Sequence, residues 1–411
     1  MKLQAFLFLM LVAGSLGLGF SIRDRLNQKT HAHLVLAGDT VALPFEDYGG
    51  HIYVQGKIDG VPTKDLILDS GAADLFISES KAKALQLQPQ GKAMIPGRTE
   101  TIATVKVSNL ALQLGPLILN DRTSVVIPQA ETLGLEQYFG RRISGIVGYE
   151  LFEQLVVELD YSRRTLRLFR PKTYRYRGNG QRIPMTVTGD RPYIDATIVP
   201  HGYPALPGKL MIDLGSNAAL SLTAACGLDR RLIAAAPRTL KRNLATIQGS
   251  DEIVMGRLRR VQIGPLQIDR PTAIFGATRT GECDRLTGKI GYQVLRQFKV
   301  ILDYPHRQLI LEPNTGNPPP PDNHDLSGLW LKATGPQLKD YRVGAVSPDT
   351  PAFSAGVRVG DRVVRVNNIE TSELTLVQIR QQLSQAGQTA SLVLQRKTER
   401  IPVRLRLQPS I

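Results

Sequence analysis

Lys64-Asp65-Leu66-Ile67-Leu68-Asp69-Ser70-Gly71-Ala72 reappears later in the chain as Lys209-Leu210-Met211-Ile212-Asp213-Leu214-Gly215-Ser216. In both, an apolar run ends in an aspartate with a glycine two residues on, and the two aspartates are 144 positions apart. A second pair of anchors, Gln113-Leu114-Gly115-Pro116-Leu117 and Gln262-Ile263-Gly264-Pro265-Leu266, follows at nearly the same offset. A third pair, 148–168 against 291–311, matches at 10 of 21 positions with a constant offset of 143, which is too ordered for coincidence. A repeated unit of ~140 residues is far longer than a solenoid repeat, so the chain holds two tandem copies of one domain.

Each copy reads as β-rich. Short apolar or alternating runs (Ile52-Tyr53-Val54, Val105-Lys106-Val107, Val157-Glu158-Leu159, Leu166-Arg167-Leu168) are separated by Gly, Pro, Asn and Asp turns. Helical pattern is sparse: one candidate follows each aspartate (79–85 and 223–232) and another follows each Gly-Tyr pair (150–155 and 293–298). Between the copies, the basic and aromatic run from Arg170 to Gly180 reads as a solvated interdomain strand. After Leu311 comes a spacer with four consecutive prolines, Pro318 to Pro321, which is stiff and extended.

A carboxylate at the end of an apolar strand is costly to ionise unless it has partners. One such turn is compatible with a satisfied structural loop. Two, in tandem copies related by a pseudo-twofold axis, would bring both aspartates face to face. Like charges at ~3 Å cannot both ionise, so the pair shares a proton, one carboxylate serving as base and the other as acid. At these residues the chain resembles the aspartic peptidases, specifically the retropepsin-like kind in a single-chain, duplicated form. Asp69-Ser70-Gly71-Ala72 is similar to that family's Asp-Thr/Ser-Gly-Ala/Ser/Thr motif, and Ile146-Val147-Gly148 to its downstream apolar-apolar-Gly strand. The second copy is looser, with Lys289-Ile290-Gly291 at the corresponding place. The resemblance implies that Asp69 and Asp213 form a catalytic dyad supported by Ser70, Gly71, Ala72, Gly215 and Ser216. It also implies a hydroxyl after each aspartate, bracing the two loops across the axis. Leu214 stands where the second hydroxyl belongs, so half of that brace is expected to be missing. Candidate flap tips are Pro96-Gly97 and Gly249-Ser250-Asp251.

The stretch from Pro348 to Asn368 resembles a bacterial PDZ domain: a Pro-bounded loop, a small-residue helix, a Gly-Asp turn, an apolar strand and an Asn turn. Thr375 to Leu383 reads as its later helix, and 390–395 with 401–407 as its closing hairpin. The resemblance puts the carboxylate-binding loop at Gly328, Leu329, Trp330 and Leu331, whose backbone N–H groups would cap a peptide C-terminus. The ring of Trp330, the only tryptophan, is expected to fill the core.

The chain carries 51 Lys and Arg against 36 Asp and Glu, a balance of +15 that suits an anionic membrane surface or acidic partners. Nucleic acid is not expected, because the basic residues are scattered and no RNA-binding signature accompanies them. Cys226 and Cys283 are too few for a four-cysteine zinc site; a disulfide and two buried thiols both stay open. The histidines show no paired ligand spacing beyond His31-Ala32-His33, so a metal enzyme is not expected, and the resemblance to aspartic peptidases implies no cofactor. Lys2, an apolar stretch from Ala5 to Ala13, and Ser15, Gly17 and Gly19 describe a secretory signal peptide over 1–20. An uncleaved anchor is the rival, and Arg23, Arg25 and Lys29 just after the run favour cleavage.

The resulting expectation is a mostly β protein with two pepsin/retropepsin-like barrel lobes (45–170 and 182–313), a Pro-rich linker (314–324) and a C-terminal α+β PDZ domain (325–409). It would be a monomeric, periplasmic or extracellular aspartic endopeptidase acting on proteins or peptides. Two alternatives stand beside it: a non-catalytic peptide-binding protein on the same lobes, and a homodimer that uses only the first copy.

Overall fold

The computed structural model describes residues 34–36, 38–96, 101–246, 249–277, 285–314 and 325–409. The leader, Gly97, Cys283 and the tetraproline lie outside the described residues.

The two copies meet in a six-stranded sheet with the order Gln181–Pro184, Gln308–Pro313, Phe298–Asp303, Val156–Asp160, Thr165–Phe169, Thr40–Pro44. Its central pair is antiparallel, with Glu158 opposite Ile301. Ile301 is Glu158's own counterpart at the offset of 143. A residue that faces its own repeat image across an antiparallel ladder lies on a local twofold axis, and this pair fixes that axis. Because Thr40–Pro44 closes one edge of the shared sheet, the first lobe begins before the expected boundary at 45.

Above this base each copy forms its own large sheet. In both, the aspartate-bearing strand (Val61–Leu68 or Leu206–Ile212) has an antiparallel neighbour on one side, His51–Ile58 or Arg191–Val199. On the other side lies a parallel neighbour, Gly145–Val147 or Leu286–Ile290. Leu66, Leu68, Leu210 and Ile212 are fully buried, which is why the run before each aspartate is apolar throughout instead of alternating. One continuous apolar cluster runs through both lobes, so they share a core.

Short helices follow the aspartates (Glu79–Ala84, Leu228–Ala235) and the Gly-Tyr pairs (Tyr149–Phe152, Tyr292–Leu295). A further helix, Gln129–Phe139, was not legible beforehand. Its buried residues Thr132, Leu135, Glu136 and Phe139 follow helical i, i+3, i+4, i+7 spacing, but two of the four are polar and hide the pattern. Glu136 is satisfied by the Ile143 N–H at 3.0 Å and Arg142 at 2.7 Å. Gly140, at φ +72°, ends the helix in the left-handed conformation.

The 170–180 segment is not a strand, contrary to expectation. Tyr174 and Tyr176 pack on the outer face of the shared sheet against Val156, Ile301 and Ile310, so burial of their rings overrides the segment's polar composition. Cys226 is held in a disulfide. Among the described residues, no helix is long and apolar enough to cross a membrane.

Residues 325–409 have a core of their own. Their sheet runs Leu329–Thr334, Asp340–Val346, Arg362–Val366, Thr389–Arg396, Glu399–Arg406, leaving Leu329–Thr334 at one edge. The helix Leu376–Gln382 opens with a capping box in which Thr375 and Gln378 each bond the other's backbone.

Candidate active site

The two Asp-x-Gly turns end their strands in the same way. Asp69 N–H donates to the Val147 carbonyl and Asp213 N–H to that of Ile290, both at 3.0 Å. Tyr149 N–H then caps the Ala72 carbonyl at 3.0 Å and Tyr292 N–H caps that of Ser216 at 2.8 Å. Matching bonds on both sides bring the carboxyl groups together at the twofold axis. Gly71 N–H donates to Asp69 Oδ1 at 2.7 Å. Gly215 N–H reaches Asp213 Oδ1 at 3.0 Å and Asp69 Oδ1 at 3.2 Å, so one donor sits between the two carboxyls. The charge of each carboxyl acts on the other at this close approach. Two buried carboxyls so near cannot both ionise, so the pair shares a proton. Burial, and then the charge of Asp213, pushes the Asp69 carboxyl up to about 7, against the opposing pull of Lys289.

The glycines are required by close approach and not by a left-handed backbone. A Cβ on Gly71 would lie 2.8 Å from Asp213 Oδ1, and one on Gly215 would collide with the Asp69 carboxyl. The brace between the loops is one-sided. Ser70 Oγ donates to the Ile212 carbonyl at 2.6 Å and accepts the Leu214 N–H at 3.1 Å. Leu214 is buried in the apolar core and returns no hydroxyl.

Three residues of this site were missed in the sequence. Lys289 is 5 % exposed, and its ammonium lies 2.6 Å from Asp213 Oδ2. Its counterpart in the first copy is Ile146: Ile146 pairs with Ile67, and Lys289 with Met211, on the equivalent strands. The signal was available, since a lysine inside a buried strand requires an acidic partner. His51 and Arg191 form the second signal. Each stands two residues before a tyrosine on equivalent strands, Tyr53 opposite Ile67 and Tyr193 opposite Met211. Arg191 Nε donates to the Gly71 carbonyl at 2.8 Å, while the buried His51 lies beside the Gly215 backbone. Each therefore buttresses the other copy's turn. Burial holds His51 down to about 4. Among the described residues, no group of three or more His, Cys, Asp or Glu side chains is arranged to hold a metal ion.

Antiparallel pairs lie beside both expected flap tips: Pro96 pairs with Thr101, and Thr246 with Gly249. Gly249, Ser250 and Asp251, expected at a tip, instead belong to the strand Gly249–Arg257, because they pair with Thr246, Ala245 and Leu244. The helix Gln129–Phe139 packs close to the second of these strand pairs, on the rim of the cleft.

The four residues of the PDZ loop are not at the dyad. Trp330 does not fill the PDZ core, as had been expected, because strand alternation puts Leu329 and Leu331 inward and Trp330 on the other face. Its ring stacks on Tyr138 of the rim helix, with centroids 6.4 Å apart. Arg380, on the Leu376–Gln382 helix, lies 4.6 Å over the Tyr138 ring and donates to the Leu331 carbonyl at 3.3 Å. The Leu329 N–H is taken by Ser327 Oγ at 3.1 Å. Phe139, next to Tyr138, contacts the His51 ring at 4.0 Å, so side-chain contacts run from the PDZ groove to the dyad.

Residues 54–151 match the family model described as aspartyl protease, and residues 342–396 match that of the PDZ domain. The chain thus contains an aspartyl protease domain and a PDZ domain. No curated protein matches the sequence. Among solved structures, the chain is similar to basic 7S globulin from soybean at 11 % identity, covering 67 % of this chain and 95 % of that one, with a TM-score of 0.39.

Proposed function

We propose that this protein is an exported aspartic endopeptidase whose catalytic dyad is Asp69 and Asp213, with the PDZ domain as a gate on the cleft. The observation that carries the reading is the single Gly215 N–H between both carboxyls, one from each copy. A water held by the pair attacks the scissile carbonyl carbon and gives its proton to one carboxylate, while the other acid gives its proton to the carbonyl oxygen. In the collapse of the resulting diol, the first acid protonates the leaving nitrogen as the C–N bond breaks. The second takes back the hydroxyl proton, and the dyad is restored.

The gate follows from the groove contacts. A peptide that adds as a strand to the Leu329–Thr334 edge must displace Arg380 from the Leu331 carbonyl and Tyr138 from Trp330. Occupation of the PDZ groove therefore loosens the rim helix, and substrate tails are both recognised and admitted. Export rests on the leader, and association with an anionic surface on the net charge of +15.

Two observations favour a second reading, a peptide-binding protein that does not cleave: Lys289 neutralises Asp213, and Leu214 weakens the brace. Cleavage of an unfolded protein substrate across about pH 4–8, a range wide enough for a shared-proton dyad, separates the readings. Loss of cleavage in both Asp69→Asn and Asp213→Asn supports the single-chain dyad. Inert wild type at every pH favours the binding protein. Undiminished cleavage by Asp213→Asn points to pairing of first copies between two chains.

A further inference from the structure

We infer that Lys289 is a positioning residue that gives the two carboxyls unequal roles: its ammonium keeps the negative charge on Asp213 and leaves the shared proton on Asp69. The inference rests on the peptidase reading of the site. Two equivalent lobes would hold a proton symmetrically, with nothing to decide which carboxyl is acid and which is base. Lys289 breaks that equivalence at one atom, Asp213 Oδ2, 2.6 Å from its Nζ. Asp213 Oδ1 meanwhile accepts from Gly215 N–H, so both oxygens of this carboxyl are bound to donors. Both suit the ionised form.

The first copy supplies an internal control. Ile146, at the same register, belongs to an apolar cluster with Tyr53, Ile67, Ala72 and Phe76. In the second copy the places of Ala72 and Ile146 are held by Ser216 and Lys289, so the polar pocket is a departure from the duplicated pattern on one side only. The charge count agrees. With one proton on the dyad, Asp69, Asp213 and Lys289 sum to zero in a buried site, the arrangement that costs least to desolvate. Among the described residues, the other charged or titratable groups facing the site are His51 and Arg191 from the flanking strands, Tyr193, Tyr304, and Arg380 acting on His51. Arg191 and Tyr304 bind backbone carbonyls, of Gly71 and Ser70, and so do not compete with Lys289 for the Asp213 carboxylate.

Directionality follows. Asp213 is the base that takes the proton of the attacking water. Asp69 is the acid that protonates the carbonyl oxygen of the peptide.

The test compares full-length wild type with Lys289→Ile, Lys289→Gln and Lys289→Arg. Ile is the first copy's residue at this register, and Gln keeps a donor without the charge, so a folding defect in one variant leaves the other to report. Removing the positive charge disfavours ionised carboxyls. Both limbs of the pH–rate profile should therefore move to higher pH by about 1–3 units in the Ile and Gln variants, and stay in place in the Arg variant. Superimposable profiles, or a shift to lower pH, overturn the inference while leaving the peptidase reading intact. Infrared titration of the carboxyl band needs no turnover. It is read in a Glu150→Gln background, which removes the other raised carboxyl; there, loss of the near-neutral carboxyl signal in Asp69→Asn but not in Asp213→Asn upholds the inference even if wild type cleaves nothing, and the reverse pattern overturns it.

Discussion

Ser70 holds Leu214 across the lobe boundary from one side only: its Oγ accepts the Leu214 N–H at 3.1 Å and donates to the Ile212 carbonyl at 2.6 Å. Among the described residues, side-chain bracing between the two aspartate turns passes through this hydroxyl, the Asp69 carboxyl that accepts the Gly215 N–H, and the Arg191 and His51 buttresses. Ser70→Ala leaves a buried N–H and a buried carbonyl without this partner, and should cost about 1–3 kcal/mol in urea unfolding. Ser70→Thr, which keeps the hydroxyl, should recover most of that loss. Equal stability of Ser70→Ala and wild type would show that the brace is slack.

Gly215→Ala places a methyl group against the Asp69 carboxyl. The dyad has to open, and a displacement on the order of 1 Å costs about 100-fold in rate. A kcat within threefold of wild type, measured on a peptide cleaved by the parent, would contradict the close approach.

The raised Asp69 carboxyl has a thermodynamic sign. The folded state keeps its proton up to about 7, whereas the unfolded chain loses it near the ordinary aspartate value of 3.8. Stability from this group is complete below that lower value and is lost as pH rises towards the folded one. Relative to Asp69→Asn, wild type should weaken across this window by at most about 1.4 kcal/mol per pH unit. Parallel stability curves for the two proteins would refute the shift.

Glu150 repeats the logic away from the dyad. Burial first, and then Asp74, pushes its carboxyl up to about 8, and the counterpart in the second copy is the neutral Gln293. One oxygen accepts the Leu75 N–H at 2.8 Å, a bond that an amide oxygen can also accept. Glu150→Gln should match wild type near the ordinary carboxyl value of 4.5 and become steadily the more stable protein up to about pH 8. Thermal melts at three pH values decide it.

Tyr138 links the protease rim to the PDZ groove through Trp330 and Arg380. Tyr138→Ala removes the group that a bound peptide must displace. Affinity for peptides with a free C-terminal carboxylate should rise by about tenfold, the equivalent of ~1.4 kcal/mol. Unchanged affinity by calorimetry would mean that the contact does not guard the groove.

Much of this architecture was legible in the chain because a duplication states its pattern twice. Asp69 and Asp213, their glycines and the missing hydroxyl at Leu214 could be read by aligning one copy with the other. So could the PDZ helix, whose Thr375 and Gln378 carry a local capping signal. The rim helix Gln129–Phe139 was not legible, because Thr132 and Glu136 occupy half of its buried positions and are satisfied only by contacts made after folding.

The sequence alone determined the two copies, their strand-ending aspartates and the C-terminal domain, since these rest on local pattern and repetition. Only the tertiary structure decided that Lys289 pairs with Asp213, that His51 and Arg191 each prop the opposite turn, and that Trp330 faces Tyr138 and not its own core. Each of these joins residues far apart along the chain. The partner of a buried charge or ring is set by which strands become neighbours, and no local pattern carries that information.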